Sequence, residues 1–381
     1  MKRIIVQGRP FALEPCGIRN FSINFFSALS KKLSNYKFDI LVPEKVEKDA
    51  HYFKDNVEFI VKKPVVATPN YLSTLLWENN QTLDYVKTIP KNEIAFYLSP
   101  YNCLPLTKLE IPEFIVLHDI DLWIDRGINW AIERRFGYEI KKQSIYNADL
   151  ILTISNFSKQ EIDSYFRLPL NKTQVIYEDI DPNYDKEASI RTTLVLNKFG
   201  VKNGDYFLYI GGFEPRKNPE AIFKAYQLYS KTVEKPKKLL ILGSFNERTK
   251  KQIKFDFANL GDNCIFITNP STTSELISVY KHAFAFIYPS KYEGFGLQIL
   301  EAQASGTPLI VSNIPTFKEI AGKGALYFDP NKAKEAAELM VWLEKNNQNR
   351  LNLIEKGYIN RKRFSWQKTT ELFIEKIKNY L

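Results

Sequence analysis

Short runs of Ile, Val, Leu and Phe recur along the chain, each followed by a longer stretch in which apolar residues return every three or four positions. This is the pattern of buried parallel strands alternating with covering helices. In the first half it predicts strands at Arg3–Gln7, Phe38–Val42, Val57–Val61, Ile94–Leu98, Phe114–His118, Leu150–Ile154 and Gln174–Tyr177, with helices notably over Asn20–Leu33, Ile128–Asn147 and Lys159–Phe166. The second half repeats the rhythm with strands at Phe207–Gly211, Lys238–Leu242, Cys264–Ile267, Phe284–Tyr288, Pro308–Val311 and Ala325–Tyr327. Two doubly wound α/β domains are the economical reading. The polar run Glu178-Asp179-Ile180-Asp181-Pro182-Asn183-Tyr184 suits an exposed crossover and puts the boundary near Pro182. Residues 331–381 read as consecutive helices rather than strands, and such a tail often serves a two-domain protein as a strap. There is no internal repeat and no low-complexity tract.

With 381 residues, 44% of them hydrophobic and 14% aromatic, the chain is expected to fold around real cores rather than remain disordered. Its longest apolar runs, such as Ala283-Phe284-Ala285-Phe286-Ile287, fall far short of the about 20 residues a membrane span needs, which excludes a transmembrane protein. Met1-Lys2-Arg3 is followed by only three apolar residues, too few for a secretory leader. Three cysteines (Cys16, Cys103, Cys264) and three histidines (His51, His118, His282) are too scattered for a disulfide framework or a zinc site, so a reduced cytoplasmic protein without structural metal is expected. The net charge of +10 suggests an anionic partner: a nucleotide, an acidic membrane surface or a nucleic acid.

The chemistry concentrates in two loops. In Tyr288-Pro289-Ser290-Lys291-Tyr292-Glu293-Gly294-Phe295-Gly296-Leu297 a strand gives way to a glycine-bearing loop and then a helix. The amides of Phe295, Gly296 and Leu297 thereby fall at a helix N-terminus, which attracts phosphate. Glu293 precedes that helix and Glu301 lies about one turn inside it, so the two carboxylates are suited to different hydroxyls of one ligand. The alternative is an ordinary strand-to-helix turn with solvated glutamates. The second loop, Gly211-Gly212-Phe213-Glu214-Pro215-Arg216-Lys217-Asn218-Pro219, sets a forked and a point cation at the carboxyl edge of a sheet. Taken alone, a lone Arg-Lys pair reads better as surface charge. Gly8-Arg9-Pro10 and Pro15-Cys16-Gly17-Ile18 flank a further strand-to-helix turn where glycine lets backbone approach a phosphate, and His118-Asp119 ends an apolar strand. A satisfied structural histidine is the alternative there.

Together, Glu293-Gly294-Phe295-Gly296-Leu297 with Glu301 at Glu-x7-Glu spacing, the Gly211-Gly212 to Lys217-Asn218 turn, Ser155-Asn156-Phe157-Ser158 after Ala148-Asp149-Leu150-Ile151, and Phe364-Ser365-Trp366 resemble retaining glycosyltransferases of family 4. The similarity runs through the whole chain in motif order and is strongest from Tyr206 to Pro330. It implies a GT-B fold: an acceptor-side Rossmann-like domain over 1–182, a nucleotide-sugar domain over 183–364 facing it across a cleft, and a C-terminal helix at 365–381 crossing back to the first. By the resemblance, Glu293 contacts the donor sugar and Glu301 the ribose. Arg216 and Lys217 hold the diphosphate with amides near Gly17, Phe295, Gly296 and Leu297, and His118 lies beside the transferred sugar. No metal or other cofactor is implied. The chain departs from the family where Glu178-Asp179-Ile180-Asp181 replaces Asn-Gly-Val-Asp, where Gln298 replaces a common proline, and where Phe213 replaces an arginine.

The activity so implied is transfer of a hexose, with retention, from a nucleoside-diphosphate sugar to a hydroxyl acceptor in surface polysaccharide or lipopolysaccharide assembly. GDP-mannose is the first donor expected, with UDP-hexoses as alternatives. A lipid-linked acceptor would bring the protein peripherally to an anionic membrane face, for which Lys31-Lys32 and Lys62-Lys63 are candidates, a solvated lysine face being the alternative. A nucleic-acid-binding protein would need a clustered basic stripe with interleaved aromatics, and none is seen. A non-catalytic protein of the same fold and a sugar-nucleotide epimerase are the remaining readings.

Overall fold

The computed structural model describes residues 1–13, 16–46, 52–63, 71–120, 142–185, 192–243, 260, 263–267 and 272–381. The chain divides into two compact units: Met1–Asp179 with Phe364–Leu381, and Ile180–Arg363. The chain thus passes between units just before the Pro182 expected from sequence, and its last helix belongs with its first half.

Unit 1 is built on a sheet of seven strands: β1 (Arg3–Gln7), β2 (Lys37–Val42), β3 (Val57–Val61), β4 (Ile94–Ser99), β5 (Glu113–Val116), β6 (Leu150–Thr153) and β7 (Thr173–Val175). All described pairings are parallel, in the order β3-β2-β1-β4-β5-β6-β7. The interior of β1 shows no alternation of apolar and polar positions because both of its faces are covered: Ile4, Ile5 and Val6 are all fully buried. The helix Gly17–Lys32 buries Phe21, Phe25 and Leu29, one residue per turn along one face. It starts three residues earlier than expected. The helix Asn156–Phe166 likewise begins before Lys159 because Ser155 caps it, its hydroxyl accepting from the Ser158 amide at 3.0 Å. β5 ends at Val116 rather than His118. Most of the expected helix Ile128–Asn147 lies outside the described residues; 142–147 is helical.

The C-terminal helix Trp366–Ile377 is capped by Ser365 and turns Trp366, Thr370, Phe373 and Ile377 inward. Phe373 meets Phe25 edge-on at 5.4 Å and also Phe96 and Phe114 of the sheet, while Trp366 meets Phe21 at 5.7 Å. Thr369 Oγ1 donates to the Tyr177 carbonyl at 2.6 Å, fixing the helix to the chain beyond β7.

Unit 2 has six strands: β8 (Tyr206–Ile210), β9 (Lys238–Leu242), β10 (Cys264–Ile267), β11 (Ala285–Tyr288), β12 (Leu309–Ser312) and β13 (Leu326–Phe328). Their order is β10-β9-β8-β11-β12-β13, again parallel. Its core joins Phe207, Tyr209, Leu239 and Ile241 to Ile222 and Tyr226 of the helix Pro219–Thr232 and to Met340 and Leu343 of the helix Ala333–Lys345. In each sheet the strand order reverses beside the first strand: between β1 and β4, and between β8 and β11. In such sheets, ligand sites form outside the carboxyl ends of the strands at that switch point. The loops leaving β8 and β11 are the two that carry the chemistry-bearing motifs.

Candidate functional site

After β8 the chain turns through Gly211 and Gly212 into a single 3-10 turn, Pro215–Lys217, and then Asn218 in left-handed conformation (φ 55°). Asn218 ends that turn and precedes the helix Pro219–Thr232. Its Nδ2 donates to the carbonyls of Pro289 (3.0 Å) and Pro330 (2.7 Å), so one side chain clamps the β8 loop to the loops after β11 and β13. The Lys291 amide donates to the Arg216 carbonyl at 2.8 Å, a second tie between the two loops. Arg216 and Lys217 are therefore held against the Glu293 loop by backbone geometry as well as by charge.

The side chains meet there. Lys217 Nζ lies 2.7 Å from Glu293 Oε1 and Arg216 Nη1 lies 3.2 Å from Oε2. Oε1 also accepts from Ser290 Oγ at 2.7 Å and from the Tyr288 hydroxyl at 2.9 Å. Thr316 Oγ1 donates to the Glu293 carbonyl at 2.8 Å. Burial by itself would push the Glu293 carboxyl up; the charges of Lys217 and Arg216 and the bonds from Lys217 and Ser290 outweigh it and hold the group below its ordinary value. The result is a buried, ionised carboxylate, 6% exposed, with two cations beside it.

Beyond Glu293, Phe295 is buried and Gly296 takes φ 96° at the start of the helix Leu297–Ala304. A Cβ at Gly296 would also come within 3.0 Å of the Phe317 ring, so conformation and space both demand glycine. No side chain caps this helix, which leaves its first amides directed at the loop. Glu301, one turn on, accepts from the Tyr280 hydroxyl at 2.8 Å, with Tyr184 and Asp181 also near. Its burial drives the carboxyl up to about 7, against the Tyr280 and Tyr184 hydroxyls, which favour the ionised form. The two glutamates of the Glu-x7-Glu spacing thus sit in opposite electrostatic settings.

Unit 1 treats its expected site residues differently. His118, 8% exposed, has Nδ1 3.1 Å from Glu178 Oε1 and Nε2 3.0 Å from the Pro100 carbonyl, and its ring edge meets Phe21 at 4.9 Å. Both neighbours are acceptors, so their placement favours a ring protonated on both nitrogens. Burial opposes that charge, but Glu178 and Pro100 outweigh it and raise the group. The expectation that this ring faces a transferred sugar therefore meets a histidine whose two nitrogens are already engaged inside unit 1. Gly17 opens the helix Gly17–Lys32, and a Cβ there would meet nothing within 4 Å, so packing does not require the glycine. Of the candidate membrane lysines, Lys31 bonds Ser27 at 3.2 Å, Lys32 pairs with Glu371 at 2.6 Å, and Lys62 lies 5.1 Å from the Tyr85 ring centroid.

Sequence reasoning missed Tyr288, Ser290, Thr316 and Asn218 around Glu293, and Tyr280 and Tyr184 near Glu301. The position of Tyr288 as last residue of a strand at the switch point was the available signal; the tyrosines near Glu301 carried none. Among the described residues no group of three or more His, Cys, Asp or Glu is placed to hold a metal ion, and no helix is long and apolar enough to cross a membrane.

Residues 196–360, which include Arg216, Lys217, Glu293 and Glu301, match the family described as Glycosyl transferases group 1. The chain is 29% identical over 255 residues to O-antigen chain mannosyltransferase B of Escherichia coli, covering 66% of each chain, and 26% identical over 324 residues to O-antigen chain mannosyltransferase RfbU of Salmonella typhimurium, covering 84% of each. Its fold is shared by a glycosyltransferase from Rickettsia africae (TM-score 0.72, 16% identity, 100% of this chain and 98% of that one) and by Anabaena Alr3699/HepE in complex with UDP and glucose (TM-score 0.71, 16% identity, 99% of each). The matched segment, its relatives and the shared two-sheet architecture support a glycosyltransferase of the GT-B fold.

Proposed function

We propose that the chain is a retaining hexosyltransferase that draws on a nucleoside-diphosphate sugar, GDP-mannose first, and delivers to a glycan hydroxyl in cell-surface polysaccharide or lipopolysaccharide assembly. The carrying observation is the convergence of Arg216, Lys217 and Glu293 from two loops at the switch point of one sheet. A departing diphosphate develops negative charge, and fixed cations with helix-terminal amides stabilise such charge by several kcal/mol. Arg216 forks onto phosphate oxygens while Lys217 supplies a point charge, which makes transfer metal-independent in this reading. Glu293 accepts from donor-sugar hydroxyls and Glu301 from the ribose. Retention follows from same-face attack in which the leaving phosphate takes the acceptor's proton, with Glu293, already bonded by four side chains, positioning rather than attacking.

Mannose is favoured because the two relatives above are named O-antigen mannosyltransferases; the Anabaena complex with UDP and glucose keeps a UDP donor as the second reading. A lipid-linked acceptor at an anionic membrane face belongs to the same proposal. The test is thermal stabilisation of the purified chain by GDP, UDP, ADP and their sugar conjugates, with and without chelator. A ligand at a hundredfold excess over its Kd stabilises by about 2.7 kcal/mol. A chelator-insensitive shift confined to GDP and GDP-mannose, followed by mannose transfer, is expected. No shift with any nucleotide would overturn the reading in favour of a non-catalytic protein of this fold.

A further inference from the structure

The Tyr288 ring is fully buried and stacks on Phe317 with centroids 4.7 Å apart. Its hydroxyl stands where three groups converge: Lys217 Nζ donates to it at 3.2 Å, and Glu293 Oε1 and Gln298 Oε1 lie at 2.9 and 3.1 Å as acceptors. A phenol has one proton to give, and of these two acceptors the charged carboxylate binds it more strongly. Oε1 of Glu293 therefore carries three donors from Lys217, Ser290 and Tyr288, whereas Oε2 has the Arg216 contact at 3.2 Å. One oxygen is anchored and the other has capacity left for a ligand hydroxyl.

The proposed function, on which this inference rests, asks Lys217 and Arg216 to turn toward a diphosphate. Glu293 then loses its cations while still buried, and a buried carboxylate without partners takes up a proton. Ser290 and Tyr288 are the neutral donors that stay. We propose that Tyr288 is a positioning residue for Glu293: its hydroxyl, on a ring fixed by its stacking against Phe317, keeps Oε1 anchored and Oε2 presented when a phosphate ligand engages the two cations. Around Glu293 stand Lys217 and Arg216 from the β8 loop, Tyr288 itself, and Tyr209 of β8, whose hydroxyl donates to the Gly212 carbonyl at 2.5 Å and which also feels the charge of Glu214.

Tyr288→Phe keeps the ring and its stacking and removes only the donor. Expected is a fall in kcat of about tenfold or more, the size of one charge-assisted hydrogen bond, with the donor KM within about twofold and the acid limb of the kcat profile displaced to higher pH. Replacement of Tyr288 by 3-fluorotyrosine, a stronger donor of nearly the same shape, is expected to displace that limb to lower pH. The same pair is followed by thermal stability against pH without any substrate: the acid loss of stability attributable to Glu293 should begin at higher pH in Tyr288→Phe. Unchanged kcat and unchanged acid behaviour in both variants overturn the inference, as does displacement of both in one direction. A wild-type chain that transfers no sugar would overturn the proposed function instead, leaving the stability profiles to decide the role of Tyr288.

Discussion

Replacing Glu293 by glutamine separates the two jobs of its carboxylate. In the ligand-free chain it neutralises Lys217, itself 9% exposed, at 2.7 Å, and Arg216 at 3.2 Å. Removing one partner of a buried pair costs about 3–5 kcal/mol, because the remaining charge is left uncompensated. The Arg216 side chain is 31% exposed and its charge is partly met by water, so the lower end applies. About 3 kcal/mol corresponds to a Tm lowered by roughly 6–12 °C for a unit of this size. For a nucleoside diphosphate the sign reverses. If Arg216 and Lys217 hold the diphosphate as proposed, Glu293 is the internal anion that such a ligand displaces from them, and a neutral amide competes less. If about 1.4 kcal/mol of the lost pairing is regained on binding, affinity for GDP or UDP rises about tenfold while sugar transfer falls about 10- to 100-fold for want of an ionised acceptor. Scanning fluorimetry and calorimetric titration of both proteins with the free diphosphates measure the two effects. A Glu293→Gln chain as stable as wild type, or one that binds the diphosphate more weakly, refutes the competition.

Glu301 supplies a pH dependence with the opposite sign. Its carboxyl stands at about 7 in the fold against 4.5 unfolded, so its contribution to stability falls as pH rises from about 4.5 through 7; Glu301→Gln should lack that slope, be the more stable protein at pH 8, and bind nucleotide no better there than at pH 6, whereas wild type gains affinity as the carboxylate ionises. His118, raised by Glu178, stabilises unit 1 below its unfolded value near 6.5, and that stability is lost as pH rises through the higher folded value; denaturation of His118→Gln against pH should show the slope removed. Phe373→Ala empties a fully buried site beneath the C-terminal helix and should lower unfolding free energy by about 3–5 kcal/mol in chemical denaturation. Gly296→Ala, strained by φ 96° and crowded by Phe317, should destabilise by about 1–3 kcal/mol and weaken nucleotide binding in the same titration.

Most strands were legible because they are short apolar runs covered on both faces, and errors at their ends have local causes. Pro308 has no N–H to give the ladder, so β12 opens at Leu309, and the Pro308 carbonyl serves instead as acceptor for the Phe286 amide. The helix beginning at Asn156 is signalled by its serine cap, which periodicity alone overlooked. For the site, the loops were legible as the two that leave neighbouring strands at the reversal point. Their pairing was not: Lys217 and Glu293 are 76 positions apart, and nothing in either loop states that cation and carboxylate meet each other when no ligand is present. The same holds for Glu178, which meets the His118 ring across 60 positions.

The division of the chain, with unit 2 inserted between residue 179 and residue 364 of unit 1, sets an order of events during synthesis. Unit 2 is contiguous and can complete its sheet as soon as it leaves the ribosome. Unit 1 cannot: Phe25, Phe96 and Phe114 are made early, yet the ring that closes over them, Phe373, follows Phe114 by about 260 residues, roughly 13–50 s at ordinary elongation rates. Throughout that interval a patch of aromatic surface stands open, and nascent chains stalled anywhere before Ile377 keep it open. The half of the molecule translated first is the half finished last, and it is there that chaperone dependence and aggregation during overexpression should concentrate.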